Sequence, residues 1–376
     1  MIAGFFIYIY VFLGLLVLFF DASKQPEKVY NKVFNIVYII LGLLVALRYK
    51  VGPDTATYMV FFNEVPTIKD FSLDYFNFSR FQPLYVLLNS LCKTIYDNFV
   101  TIQILQAFLF FHSFYLLMRK LDLRKFYILF LFFGANYFAE MSGMRECFGL
   151  SFCMYGLLFY IEKKWISYYS LVFAGILCHS GMVIFLVLPL IKLFRSISIL
   201  NIIIIGVVFI VLKPAFDYLQ IFSILLNEGD SLLNYSFQEG GQLRMSTLLF
   251  IVMRLAVIVY FIFICSKDKY NDYSKDFIYL GIVYIFLGFF TESMPILYRF
   301  AAHFALFYFF CIKESLKCAK SAPIIVALMF VLFSYTSVMR FSSDMNEIPT
   351  VYNYCSVFSS DNSKAKMNSL SIEHAY

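Results

Sequence analysis

The sequence predicts an all-α membrane protein that crosses the bilayer about twelve times. Hydrophobic residues make up 61% of the 376 residues and charged residues only 14%, whereas a soluble globular protein has about 25% charged residues. The apolar residues come in runs that approach the ~20 residues a helix needs to cross a bilayer. These runs lie near residues 2–20, 33–47, 98–118, 126–139, 146–161, 166–178, 181–191, 199–212, 246–265, 277–290, 296–312 and 322–339.

The loops between these runs give the chain an orientation. Six short connections hold 17 of the 30 basic residues, and loops enriched in this way lie on the cytoplasmic side. Both termini then face outward, and the first run is a retained span because no basic segment precedes it. The net charge of +6 therefore reflects membrane anchoring, and nucleic acid is excluded as a partner. The basic residues are Lys24, Lys28 and Lys32; Arg119, Lys120, Arg124 and Lys125; Lys163 and Lys164; Lys192 and Arg195; Lys267, Lys269 and Lys275; and Lys313, Lys317 and Lys320.

Residues 166–191 are too short for two ordinary spans, although basic loops lie on both sides. The sequence CHSGM lies at the middle of this stretch, and Gly181 suits a break in the helix. We therefore predict a re-entrant or broken hairpin with His179 at its tip. Backbone exposed at such a break is tolerated where it lines a cavity or is buried in protein.

The chain is predicted to form one transmembrane domain, residues 1–340, followed by a polar outward tail, residues 341–376. Two outward loops, residues 48–97 and 213–245, are longer than connections need to be. The first contains PLYVLLNSLCKTIY, residues 83–96, an amphipathic pattern that predicts a helix lying at the membrane interface.

Arginine is distributed differently from lysine, because seven of the ten arginines fall on the outward side or in a span near it. Arginine binds phosphate oxygens with two parallel N–H groups and stays charged when partly desolvated. An anionic, phosphate-bearing ligand is therefore predicted at the outward helix ends, with Arg48, Arg145, Arg299 and Arg254 as its binding residues. Snorkelling to headgroups or pairing with carboxylates is the simpler alternative for each. The seven are Arg48, Arg80, Arg145, Arg244, Arg254, Arg299 and Arg340.

Three further residues are candidates for the chemistry of such a site. Asp54 follows Gly-Pro at the mouth of the second span, where its carboxylate either accepts a proton from a sugar hydroxyl or caps the next helix. His179 is either a proton acceptor in the broken hairpin or a packed, hydrogen-bonded core residue. Tyr58 is one of several aromatic residues able to stack on a sugar ring. No metal, nucleotide or nucleophile motif is present in the sequence, so no cofactor and no metal are expected.

Five stretches of the chain resemble the EpsG family of bacterial polysaccharide polymerases, which is related in role to the Wzy O-antigen polymerases. They occur in the family's order and extend over most of the chain. Glu146 departs from the family pattern, which usually has glutamine after this arginine. The stretches are RYKVGPDTATYMVFF (48–62), FQPLYVLLNSL (81–91), SGMRECFGLSFCMYGLLFY (142–160), AGILCHSGMVIF (174–185) and ILYRFAAHF (296–304).

This resemblance implies an enzyme of the bacterial inner membrane with a GT-C-like fold. Its substrate would be an oligosaccharide repeat unit on undecaprenyl diphosphate, joined to the next unit at the outer face. Membrane lipids, a chain-length regulator and a flippase of the same pathway would be its partners. The sugar, the linkage, the stereochemistry and the oligomeric state stay open.

Three other functions fit a chain of this composition. The first is a lipid-linked oligosaccharide flippase, for which the chain shows no internal repeat. The second is an outward O-antigen ligase or membrane acyltransferase with His179 as the base. The third is a structural assembly factor, which would leave the outward arginines without a purpose.

Overall fold

The computed structural model describes residues 3–21, 25–49, 51, 54–135, 143–193, 199–218, 252, 272–287 and 295–318, and the regular elements in these ranges are helical. This confirms the all-α prediction. Short 3-10 segments occur at Ile68–Asp70, Ser180–Val183 and Leu188–Leu193, and a π turn at Val17–Asp21. The α-helices are α1 (Ala3–Leu16), α2 (Glu27–Ala46), α3 (Thr55–Glu64), α4 (Tyr75–Phe78), α5 (Pro83–Ile95), α6 (Val100–Lys120), α7 (Phe126–Ala135), α8 (Met144–Ile161), α9 (Trp165–Ile176), α10 (Ile184–Val187), α11 (Ile199–Tyr218), α12 (Asp272–Leu287) and α13 (Pro295–Cys318).

The helices follow the apolar runs, with some differences at their ends. Helix α2 begins at Glu27, six residues before the predicted start, because a helix can begin with charged residues and an acidic first turn favours its N-terminus. Helices α11 and α13 also continue several residues past their predicted ends. The predicted spans 246–265 and 322–339 lie outside the described residues apart from residue 252, as does the tail 341–376.

Two of the described helices, α2 and α6, are long and apolar enough to cross a membrane by length and composition. Shorter apolar helical stretches occur at Tyr8–Asp21, Trp165–Ile176 and Ser180–Leu193. The count of twelve spans stays a prediction.

The described residues divide into two compact units, one within residues 1–186 and the other within residues 187–330. In the first unit, α8 packs against α6 and α9, α6 also packs against α2, and α1 packs against α7. In the second unit, α12 packs closely against α13. Arg48, Asp54, Tyr58, Arg145 and His179 lie in the first unit.

Residues 177–179 break the helical path where the sequence predicted a break. Helix α9 ends at Ile176, and His179 has extended backbone angles, φ −155° and ψ 121°, which cannot continue an α-helix. A 3-10 segment then begins at Ser180 and packs against α8. The break at His179 is confirmed, and the re-entrant path through the membrane stays a prediction.

The first turn of α7 is capped by a residue from far along the chain. Asp21 accepts hydrogen bonds from the Tyr30 hydroxyl and, through Oδ2 at 2.7 Å, from the backbone N–H of Tyr127. The Tyr30 hydroxyl in turn accepts the backbone N–H of Phe126 at 3.1 Å. The first N–H groups of a helix have no partner within the helix, so Asp21 and Tyr30 tie the ends of α1 and α2 to the start of α7.

Replacing Asp21 by alanine is expected to destabilise this corner by about 1–2 kcal/mol, the usual cost of losing a helix cap. The Tyr127 N–H and the Tyr30 hydroxyl would each lose an acceptor, and unsatisfied donors are costly when buried. A thermal melt of the purified protein should show a lower midpoint for Asp21→Ala and an unchanged one for Asp97→Ala, an exposed aspartate. Equal midpoints for the two variants would contradict the capping role.

Candidate active site

Arg145 lies in the first turn of α8 and is held by two residues that precede α5. Its Nη1 donates to Oε1 of Gln82 at 3.0 Å, and its Cζ lies 4.6 Å from the centre of the Phe81 ring. Its Nε is buried and has no hydrogen-bond partner among the described residues. The guanidinium is therefore fixed by a hydrogen bond and a cation–π contact, and it keeps a buried N–H group able to bind an acceptor.

Tyr85, in the first turn of α5, is fully buried and close enough to Arg145 to feel its charge. Its ring contacts the rings of Phe81, Tyr58 and Phe148, with centre-to-centre distances of 5.7, 5.9 and 6.0 Å. Edge-to-face and tilted ring pairs of this kind stabilise a rigid cluster. The cluster joins α3, α5 and α8 at one place.

The Tyr85 hydroxyl lies close to the Asn89 side chain and within the influence of two guanidinium groups. Burial raises the pKa of Tyr85 well above its ordinary value, Tyr58 raises it further, and Asn89, Arg145 and Arg48 oppose the rise. The phenol therefore stays protonated and can donate a hydrogen bond. The effect of both guanidinium groups on one hydroxyl shows that Arg48 and Arg145 contribute positive potential to the same location.

His179 packs against the face of α8 that carries Arg145. A Cβ atom built on Gly149 would lie 3.3 Å from the Cβ of His179, and Gly149 is four residues after Arg145, on the same helix face. The turn is also joined to α5, because the backbone N–H of Leu84 donates to the Leu177 carbonyl at 2.9 Å. The helix break therefore lies directly beside the residues that hold Arg145.

Arg48 is fully buried just after α2. Its Nη1 donates to the Val45 carbonyl at 2.6 Å, and its Nη2 donates to Oε1 of Gln106 at 2.7 Å. A cation at the carboxyl end of a helix is stabilised by the helix dipole, and the second bond ties α2 to α6. Arg48 therefore stabilises the contact between α2 and α6, and from this buried position its charge acts on Tyr85.

Asp54 precedes α3 at the N-cap position, but its side chain makes no capping hydrogen bond. The capping interpretation is therefore wrong. The physical reason is the backbone of Asp54, whose φ of −82° and ψ of −6° are helical, whereas a capping residue is usually extended. The Asp54 carbonyl accepts the N–H of Tyr58 at 3.1 Å, so the half-buried Asp54 lies one turn before the aromatic cluster.

The structure thus brings together five of the residues singled out from the sequence: Arg48, Asp54, Tyr58, Arg145 and His179. Arg254 and the side chain of Arg299 lie outside the described residues, although the backbone of Arg299 belongs to α13. Within the described ranges, no group of three or more His, Cys, Asp or Glu residues could hold a metal ion.

Two residues that hold Arg145, Phe81 and Gln82, were not predicted as part of the site. No periodicity relates them to α8, because Gln82 is 63 residues away from Arg145 in the chain. A signal was nevertheless present, since FQPLYVLLNSL begins with these residues. Four of the five stretches that carry the family resemblance, residues 48–62, 81–91, 142–160 and 174–185, meet at this location.

The family model of EpsG matches residues 31–356. The chain belongs to the EpsG family. This confirms the resemblance and places the chain among the Wzy-type polysaccharide polymerases. No curated protein and no solved structure matches this EpsG-family chain.

Membership of the EpsG family indicates a polysaccharide polymerase, and hence a glycosyltransferase whose substrate is a lipid-linked oligosaccharide. Together with the two long apolar helices, it also indicates a membrane protein. The residues around Arg145 are thus the candidate active site of this EpsG-family protein.

Proposed function

We propose that this EpsG-family protein joins undecaprenyl-diphosphate-linked oligosaccharide repeat units at the outer face of the bacterial inner membrane, without a metal. The observation that carries the proposal is the Arg145 guanidinium, which has a buried, unbonded Nε and lies in the first turn of a helix beside the His179 turn. Helix N-termini and arginine forks both favour phosphate.

The reaction forms one bond and breaks one. The acceptor hydroxyl oxygen attacks the anomeric carbon of the donor sugar, and the bond between that carbon and the phosphate oxygen breaks. The bonding electron pair leaves with the lipid diphosphate, and the hydroxyl proton passes to a base. Negative charge grows on the leaving phosphate, so positive groups fixed in advance at that position lower the barrier.

Arg145 is proposed to contact the diphosphate, and Arg48 to contribute charge from its buried position. The Tyr85 hydroxyl, kept protonated by burial, is suited to donate to a phosphate or sugar oxygen. Tyr58 is proposed to support the aromatic cluster around Tyr85 rather than to stack on the sugar, since Phe81 and Tyr85 pack against its ring. Arg254 and Arg299 stay candidates for further phosphate contacts.

His179 and Asp54 are the two candidates for the base. His179 lies in the turn that packs against the helix face bearing Arg145, and this contact supports its assignment as the base. Asp54 lies one helical turn before Tyr58, at the edge of the aromatic cluster, and its carboxylate is a second group able to accept a proton. A general base must reach the proton that it removes, so the two candidates can be separated by substitution.

The test is the supply of lipid-linked repeat units to the purified full-length protein in detergent. Polymerisation gives a ladder of chain lengths, a single addition would indicate a ligase instead, and no product despite intact binding would refute the enzyme function. Loss of the base should lower the rate about 100-fold or more. His179→Gln and Asp54→Asn can be compared with His112→Gln and Asp97→Asn, which change the same residue types at exposed positions. Full activity in both test variants would exclude both bases.

A further inference from the structure

Two guanidinium groups share one aromatic ring at the edge of the site. The Cζ of Arg80 lies 5.0 Å from the centre of the Phe81 ring, and the Cζ of Arg145 lies 4.6 Å from the same centre. The two carbons can therefore be no farther apart than these two distances together. Arg80 is exposed, whereas Arg145 is half-buried, so the pair extends from the surface into the site.

Neither guanidinium has a carboxylate partner in the part of the chain that the structure describes. The ring offsets part of the repulsion between them, because a cation over an aromatic face is attracted by the ring quadrupole. That attraction is small at exposed sites and does not neutralise either charge. No described residue accepts a hydrogen bond from the buried Nε–H of Arg145. A ligand carrying two adjacent negative groups would satisfy both arginines.

We propose that Arg80 is a second diphosphate-binding residue, and that Arg80 and Arg145 each bind one phosphate of the same diphosphate with Phe81 as the spacer between them. The identification of that diphosphate as the lipid-linked leaving group rests on the proposed function. Arg80 binds the phosphate nearer the surface, and Arg145, held by Gln82, binds the phosphate nearer the His179 turn.

This arrangement distinguishes a diphosphate from a monophosphate. A single phosphate can engage the fork of one arginine, while the second guanidinium would remain without an anion. A diphosphate engages both forks, and hydrogen bonds between ionised groups are about twice as strong as neutral ones. Removal of Arg80 should therefore remove the preference for the diphosphate and leave monophosphate binding at Arg145 in place.

The experiment is a calorimetric titration of the full-length protein in detergent with geranyl diphosphate and with geranyl monophosphate. The wild-type protein should bind the diphosphate at least about tenfold more tightly. Arg80→Gln should reduce this ratio to near one with little change in monophosphate affinity, and Arg145→Gln should weaken both ligands. Lys69→Gln is the matched control, because it removes an exposed positive charge from the same outward segment and should leave the ratio unchanged.

The proposal would be overturned if the wild-type protein showed no preference for the diphosphate, or if Arg80→Gln kept that preference. It would also be overturned if Lys69→Gln lost the preference to the same extent as Arg80→Gln, since this would indicate a general charge effect. The ladder assay tests the proposed polymerase function separately from the role of Arg80. A wild-type ladder with the preference retained in Arg80→Gln refutes only the role of Arg80. A preference that depends on Arg80 in a protein that makes no ladder refutes the polymerase and leaves the diphosphate site.

Discussion

Replacing Arg145 by lysine is expected to slow polymerisation by about 100-fold or more, the usual cost of removing one fixed group that stabilises developing negative charge. Lysine keeps the positive charge but cannot donate two parallel N–H groups, and it cannot reproduce both the bond to Gln82 and the contact with Phe81. The rate of appearance of the product ladder, measured at saturating lipid-linked substrate, tests this directly.

The control for this variant is Arg119→Lys, which makes the same exchange at an exposed position near the end of α6. It should polymerise at the wild-type rate. The thermal midpoint of Arg145→Lys should also be measured, so that lost activity is not confused with unfolding. Near-normal laddering by Arg145→Lys would show that Arg145 anchors the protein and does not act on the leaving group.

Replacing Gly175 by valine is expected to separate α9 from α8 and to abolish polymerisation. Even a Cβ atom at this position would lie 2.9 Å from the Cys153 sulfur and 2.9 Å from the Gly149 carbonyl oxygen. Inserting extra carbon atoms into a closely packed contact costs about 1–3 kcal/mol or more. The His179 turn follows Gly175 by four residues and would move with α9, so activity should fall further than stability does.

Gly156→Ala is the control, because Gly156 lies on α8 and faces α9 across the same helix contact. A Cβ atom there would have its nearest neighbours at 3.4 to 3.6 Å, which is ordinary contact, and alanine favours a helix over glycine. Thermal midpoints and product ladders should be close to those of the wild type. Wild-type laddering by Gly175→Val would show that the close approach of α8 and α9 is not required.

The helices were predictable because each is indicated by the hydropathy of its own stretch of sequence. An apolar run such as residues 98–118 is long enough to indicate a helix by itself, and the structure has α6 at Val100–Lys120. The break at His179 could be predicted for the same reason, from the glycine and the short length of the stretch. The start of α2 at Glu27 was not predicted, because hydropathy does not detect a polar first turn.

The candidate site was predictable only in part, since its contacts join distant parts of the chain. The charge and the position of Arg145 at a helix start pointed to an anion site, and the structure places it in the first turn of α8. The partners Gln82 and Phe81 depend on how α5 packs, which no periodicity encodes. The residue type of Asp54 predicts a helix cap, but its helical backbone angles are not those of a capping residue.

The hydrogen bond between Leu84 and Leu177 has a consequence for how the family can diversify. It joins main-chain atoms, so it fixes the spacing between the arginine's supports and the histidine turn independently of side-chain identity. The exposed side chains of α5, such as Leu87, Leu91 and Ile95, take no part in that bond. Substitutions at these positions can therefore accumulate in the family while the spacing between the supports of Arg145 and the His179 turn is preserved.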